Sequence, residues 1–136
     1  MMQKLYLLIL ILVFMGCWQQ SIAQSLGKLK DSISCKETEI EMGLIEECTI
    51  RNTTISAVYQ QIRKSDKIEK AHKLLAVLPK KDTEVKVSRG GGLIAVVYHI
   101  KKQGISIEMN YEGGVTTIDL LQQGNAVLRR ITYSAD

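Results

Sequence analysis

The sequence predicts an α+β domain: two helices packed on one face of a four- to five-stranded antiparallel meander sheet, pinned by one disulfide. Three observations predict it. From Thr83 to Tyr133, apolar and polar residues alternate in short runs separated by glycine-containing or polar turns. Between Ile55 and Leu78, apolar residues recur at helical spacing instead. Cys35 and Cys48 are the cysteines left once residues 1–23 are read as a signal peptide.

The strand block starts at Thr83, where Val85 and Val87 point one way and Glu84 and Lys86 the other. Gly90, Gly91 and Gly92 supply turn angles that other residues avoid. Leu93 to Ile100 is apolar on both faces, as expected near the middle of a sheet. Lys101 and Lys102 carry its end into solvent, and Gly104 turns the chain. Ile105, Ile107, Met109 and Tyr111 form the next apolar face, and Gly113 and Gly114 turn again. Val115 to Gln122 puts Ile118 and Leu120 opposite Thr117, Asp119 and Leu121. After Gly124 and Asn125, Val127, Ile131 and Tyr133 oppose Leu128, Arg130 and Thr132. Such short turns permit only antiparallel neighbours. No lysine-and-serine helix follows either glycine cluster, so hairpin turns account for them better than phosphate cradles.

The N-terminus reads as an address. Lys4 precedes an apolar run from Leu5 to Trp18, shorter than the roughly 20 residues of a membrane-spanning helix and suited to a signal peptide. Ser21 and Ala23 place cleavage before Gln24. The alternative is a lipoprotein signal with Cys17 acylated, though Phe14 and Met15 suit it poorly. A secreted or periplasmic chain of 113 residues remains, its net charge lowered from +4 to +3 by the loss of Lys4. That mild excess does not argue for nucleic acid.

Residues 24–37 read as a leader, with a short helix through Leu26, Leu29 and Ile33 as one option, and the domain is expected over 38–136. An even cysteine count in an exported chain implies pairing, so Cys35 and Cys48 are expected to be bridged. Thr38 to Ile45 reads as a strand, with Glu37, Glu39 and Glu41 alternating with Ile40, Met42 and Leu44; a short helix is the alternative. These acids lack the spacing of a calcium loop.

Asn52-Thr53-Thr54 offers cap oxygens, and also a glycosylation sequon, to a first helix through Ile55, Val58, Tyr59 and Ile62. Asp66, with Glu69 three residues on, resembles a capping box for a second helix through Ile68, Ala71, Leu74, Leu75 and Leu78, stopped by Pro79. Charge is uneven: residues 31–50 hold six acids and one base, residues 63–102 eleven bases and four acids. The basic run is either the solvated side of a helix or a patch that steers an acidic partner.

No catalytic constellation, metal set or cofactor motif is readable. His72 follows Glu69 by three residues, but a di-metal bundle needs that motif twice. His99 sits in the most apolar strand, and Asp119 is expected to pair with Arg129 or Arg130 across strands. Three function classes follow. The first is an exported, non-enzymatic protein-binding module, such as an inhibitor or an immunity protein against a secreted toxin or enzyme. Its expected anchors lie among Tyr98, Lys101, Lys102, Tyr111, Arg129, Arg130 and Tyr133. The second is a carrier of a small apolar ligand or lipid in the cell envelope, with a cavity between sheet and helices. The third is a small hydrolase using His99 or His72.

Overall fold

The computed structural model describes residues 32–87 and 91–136. The expected signal peptide, the lipidation site Cys17 and residues 24–31 of the leader lie outside the described residues. Ile33–Asp136 form one compact unit. Its elements are β1 (Ile33–Ile40), β2 (Gly43–Arg51), α1 (Ile55–Lys64), a short 3-10 turn (Ala71–Lys73), β3 (Thr83–Lys86), β4 (Leu93–Lys101), β5 (Gly104–Tyr111), β6 (Gly114–Gln123) and β7 (Ala126–Ala135). The strands form one seven-stranded sheet in the order β1-β2-β7-β6-β5-β4-β3. Every neighbouring pair is antiparallel.

The five-strand meander is present, and its alternation sets the two faces of the sheet. Val96, Tyr98, Ile107, Met109, Ile118, Leu120 and Val127 are buried on the inner face. Val58, Tyr59 and Ile62 of α1 are buried with them in one core. Burying each such side chain contributes about 1.5–3 kcal/mol before entropy is counted. Thr54 caps the helix, its Oγ1 accepting from Ala57 N at 3.3 Å. Gln122 fixes where α1 begins: its Oε1 accepts from Ile55 N, and its Nε2 donates to the carbonyls of Thr53, Gly124 and Ala126.

Three expectations need correction. First, the sheet has seven strands rather than four or five. β1 and β2 form a hairpin whose turn, Glu41-Met42, falls inside the stretch expected as one strand over 38–45. β2 adds beside β7, with Ile50 opposite Val127. β1 begins at Ile33, so residues 33–37 of the expected leader belong to the sheet.

Second, the described residues after Asn52 hold one α-helix rather than two. Lys70 takes a left-handed backbone at φ 59°, which interrupts helical propagation after Glu69. Ser65 Oγ accepts from Lys67 N, so Ser65 stabilises a bend where the expected Asp66 cap would start a helix. Arg63 Nε donates to Leu74 O, Tyr59 Oη to Leu75 O and Gln60 Nε2 to Ala76 O. These carbonyls are satisfied by side chains of α1 rather than by a second helix. Ile68, Ala71 and Leu74 are still buried.

Third, β4 is the second strand from an edge, and β6 is central. A register shift between Leu93 and Ala95 leaves Ile94 exposed.

Candidate binding cleft

α1 and the segment after it leave one end of the inner face open. There the β1–β2 turn, the β5–β6 turn and the end of β7 meet Lys67 and Glu69 across a cleft of about 630 Å³. Its floor runs from Leu44 on β2, past Tyr133 on β7 and Thr116 on β6, to Tyr111 on β5. Gly92, at the foot of β4, extends the lining one strand further. At about 4.8 Å per strand the groove is roughly 20 Å long.

Register puts these side chains on one face. Leu44 is opposite Tyr133, and Tyr133 is opposite Thr116. Tyr111 Oη donates to Glu69 O at 2.5 Å, which ties the overhanging segment to the sheet. Burial first, then the Glu69 carboxylate, pushes the Tyr111 phenol up to about 12. Tyr133 is also raised, by burial first and the Glu46 carboxylate second, against the lowering charge of Arg129. Both phenols stay neutral near pH 7 and offer hydroxyls on an apolar floor.

Two wall residues stand out. Met42 is 62% exposed and holds φ 58°. A left-handed L residue costs about 1–2 kcal/mol, and such strain collects at functional sites. Gly113 lines the cleft, and a Cβ built there would meet nothing within 4 Å. The cross-strand approach that requires glycine at Gly43 and Gly114, where a Cβ would strike a carbonyl oxygen, is absent at Gly113.

Beside the cleft, Arg129 and Glu46 form an ion pair, with side chains 18% and 14% exposed. Arg129 Nε is buried without a hydrogen-bond partner, and Nη2 lies 3.1 Å from Cys48 Sγ. Cys48 is bridged to Cys35, directly opposite it on β1.

The expected binding residues therefore divide. Tyr111 and Tyr133 share the cleft, and Arg129 adjoins it on the same face. Tyr98 is fully buried. Its Oη accepts from Leu75 N, out of a partner's reach. Arg130 and Lys101 lie on the outer face, and Lys102 is in the β4–β5 turn at the far end of the sheet. Met42, Leu44, Thr116 and Gly113 were not anticipated. Gly43 was the available clue, since a glycine after Glu41-Met42 is compatible with a reversal there.

The outer face carries a cross-strand row of Glu47, Arg130, Asp119, Ser106 and His99. Asp119 sits opposite Arg130, as expected, but its ion pair is with Lys101 at 2.9 Å, while Arg130 pairs with Glu47. Burial opposes the charge on Asp119, yet hydrogen bonds from Lys101 and Ser106, with the charges of Lys101 and Arg130, hold it below the usual value. His99 meets Asp82 and Glu108, each at 3.7 Å, on the exposed sheet face. Ser106 is hydrogen-bonded to Asp119 within this row of charged residues. His72 is exposed in the 3-10 turn. Among the described residues, no cluster of His, Cys, Asp and Glu is placed to hold a metal ion. Nor is any helix among them long and apolar enough to cross a membrane.

The described residues together define an α+β domain: a seven-stranded antiparallel sheet with one helix packed on its inner face. No protein-family model matches the chain, and neither the curated proteins nor the solved structures give a significant match.

Proposed function

We propose that this chain is an exported, non-enzymatic binding module that takes an extended segment of another protein in the cleft. An inhibitor or immunity protein against a secreted toxin or enzyme would work in this way. The cleft floor carries the reading: half-buried Tyr111 and Tyr133 lie in line with Leu44 under an exposed, left-handed Met42. Tyrosines contribute large contact area with little side-chain entropy to lose, and they are common interface anchors. A groove of roughly 20 Å spans about six residues of extended chain. Glu69 and Glu112 outnumber Lys67 on its walls, which favours a segment carrying Lys or Arg. The disulfide supports export, since such bonds persist in oxidising compartments. The carrier reading finds less support. The space between α1 and the sheet is filled by Tyr59, Tyr98, Ile107 and Met109, each 0% exposed.

The test is capture of a partner from the host's envelope or medium by the oxidised protein, read by mass spectrometry, with two variants alongside. Gly113→Leu puts a side chain into open space at the cleft wall. It is expected to leave the melting temperature unchanged and to weaken the captured complex at least tenfold. Lys101→Glu/Lys102→Glu, at the other end of the sheet, is expected to keep it. A partner lost with the double reversal and retained by Gly113→Leu would move the site and sink the cleft. A co-purifying lipid displaced by Gly113→Leu, with no protein captured, would replace the binding module with the carrier.

Met42→Gly separates contact from folding. Relief of the left-handed backbone gains about 1–2 kcal/mol, and the looser unfolded chain returns about 0.5–1 kcal/mol. Chemical denaturation is expected to show a small stabilisation, while titration calorimetry shows weaker binding. Stronger or equal binding would mean that Met42 does not touch the partner.

A further inference from the structure

We propose that the Cys35–Cys48 disulfide is a thiol-exchange site for a dithiol reductant, and that its opening releases the edge strand β1. The proposal is independent of what occupies the cleft.

The two sulfurs sit in unlike surroundings. Cys35 belongs to a strand whose eight residues are all exposed, whereas Cys48 is 0% exposed. An incoming thiolate therefore reaches the bond from the Cys35 side. Cys48 is the leaving sulfur, and Arg129 Nη2 lies 3.1 Å from it. A neighbouring guanidinium lowers a thiol's pKa, and a less basic thiolate leaves faster. The Glu46 carboxylate, 3.6 Å from the same sulfur and paired with Arg129, opposes that effect. The other titratable groups nearby are Glu37, opposite Glu46 on β1, and the Tyr133 phenol, which feels both Glu46 and Arg129.

The exchange balances in two steps. A reductant thiolate bonds to Cys35 Sγ as the disulfide breaks, and the bonding pair leaves on Cys48 as a thiolate beside Arg129. The reductant's second thiolate then bonds to the first reductant sulfur and displaces Cys35 as a thiolate. The cystine gains two electrons, the reductant becomes a disulfide, and the protons shed by its thiols are available to Cys35 and Cys48.

Opening the bond removes the covalent tie that holds β1. The strand pairs with β2, and none of its side chains is buried. Glu37 directly faces Glu46 across that pair, a like-charge contact that disfavours it. Release of β1 makes β2 the edge of the sheet, with a row of unpaired backbone groups open to a new strand.

The experiment treats the oxidised protein with limiting glutathione, alkylating the freed thiol at once so that the mixed disulfide is trapped, and with dithiothreitol, which completes reduction. Peptide mass spectrometry is expected to find the glutathione adduct on Cys35. Arg129→Gln is expected to slow opening about three- to tenfold, and Glu46→Gln, which leaves the guanidinium in place, to speed it by a similar factor. On full reduction, amides of residues 33–40 are expected to lose hydrogen-exchange protection while those of β5 and β6 keep theirs. An adduct on Cys48, or a Glu46→Gln protein that opens no faster, would overturn the exchange site. The second readout stands even if Arg129→Gln folds poorly. Unchanged protection of β1 after reduction would overturn the release.

Discussion

Replacing Arg129 with methionine is expected to cost about 3 kcal/mol of stability, because it strands Glu46 without its cation at a largely buried position. The pair lies on the inner face between the core and the disulfide, with both side chains more than four-fifths buried. Arg129 already carries a cost there, since its Nε is buried with no partner. Glu46→Leu combined with Arg129→Met should recover most of the loss, as apolar groups of similar volume often match or exceed a buried ion pair. A double-mutant cycle by denaturant unfolding measures this directly. A double variant as unstable as the single one would show that Arg129 contributes through packing against Cys48 rather than through its charge. Recovery would mean that the ion pair is not needed for stability. Its position then matters: it adjoins Tyr133 on the cleft floor, where two fixed charges can discriminate among partner segments more than they hold the fold.

Of the meander strands, β4 was legible as an unbroken apolar run and the others because each has a half-buried face. Ile105, Ile107, Met109 and Tyr111 alternate with Ser106, Glu108 and Asn110, and β5 follows that alternation. The β1–β2 hairpin was hidden by the same rule. Ile40, Met42 and Leu44 keep alternating with Glu39, Glu41 and Gly43 straight through the turn, so no break in period marks the reversal. Turn rules assign the left-handed position to glycine or asparagine, and here a methionine holds it. The segment after α1 misled in another way. Ile68, Ala71 and Leu74 do face the core, so the apolar spacing predicted burial correctly. It said nothing about Tyr59, Gln60 and Arg63 taking the carbonyls of that segment. The cleft was only half legible. Tyr111 and Tyr133 look like anchors in sequence, but their meeting depends on β7 lying next to β6 and on β2 completing the floor. No motif encodes that pairing; the hydrophobic fit of Ile50 against Val127 contributes to it.

Tyr98→Phe is expected to loosen the segment that roofs the core and to cost about 1–3 kcal/mol, the usual penalty for leaving a buried polar group unpaired. Tyr98 Oη accepts from Leu75 N at 2.9 Å and lies 3.4 Å from Tyr59 Oη, which donates to Leu75 O at 2.6 Å. Both main-chain groups of Leu75 are therefore held by two phenols from different elements, and removal of either hydroxyl leaves the other badly matched. The losses should not add: the Tyr59→Phe/Tyr98→Phe double variant is expected to be less damaged than the sum of its parts. The Leu75 amide should lose hydrogen-exchange protection well before β5 and β6 do, since only a side-chain hydroxyl holds it. Equal protection in the variant and the wild type would show that packing of Leu74 and Leu78 suffices to hold the roof. The Tyr59 and Tyr111 phenols predict the alkaline limb of stability. Burial, then the hydrogen bond to Tyr98, raises Tyr59 far above the ordinary value of 10.0, and Tyr111 is raised to about 12. A raised pKa stabilises the fold fully below the unfolded value and loses that contribution as pH climbs above it. Stability should therefore be level up to about pH 10 as far as these groups are concerned, then fall steeply as the unfolded chain ionises first. Tyr59→Phe should flatten that fall; an unchanged slope would show that Tyr59 is not the group whose ionisation opens the core.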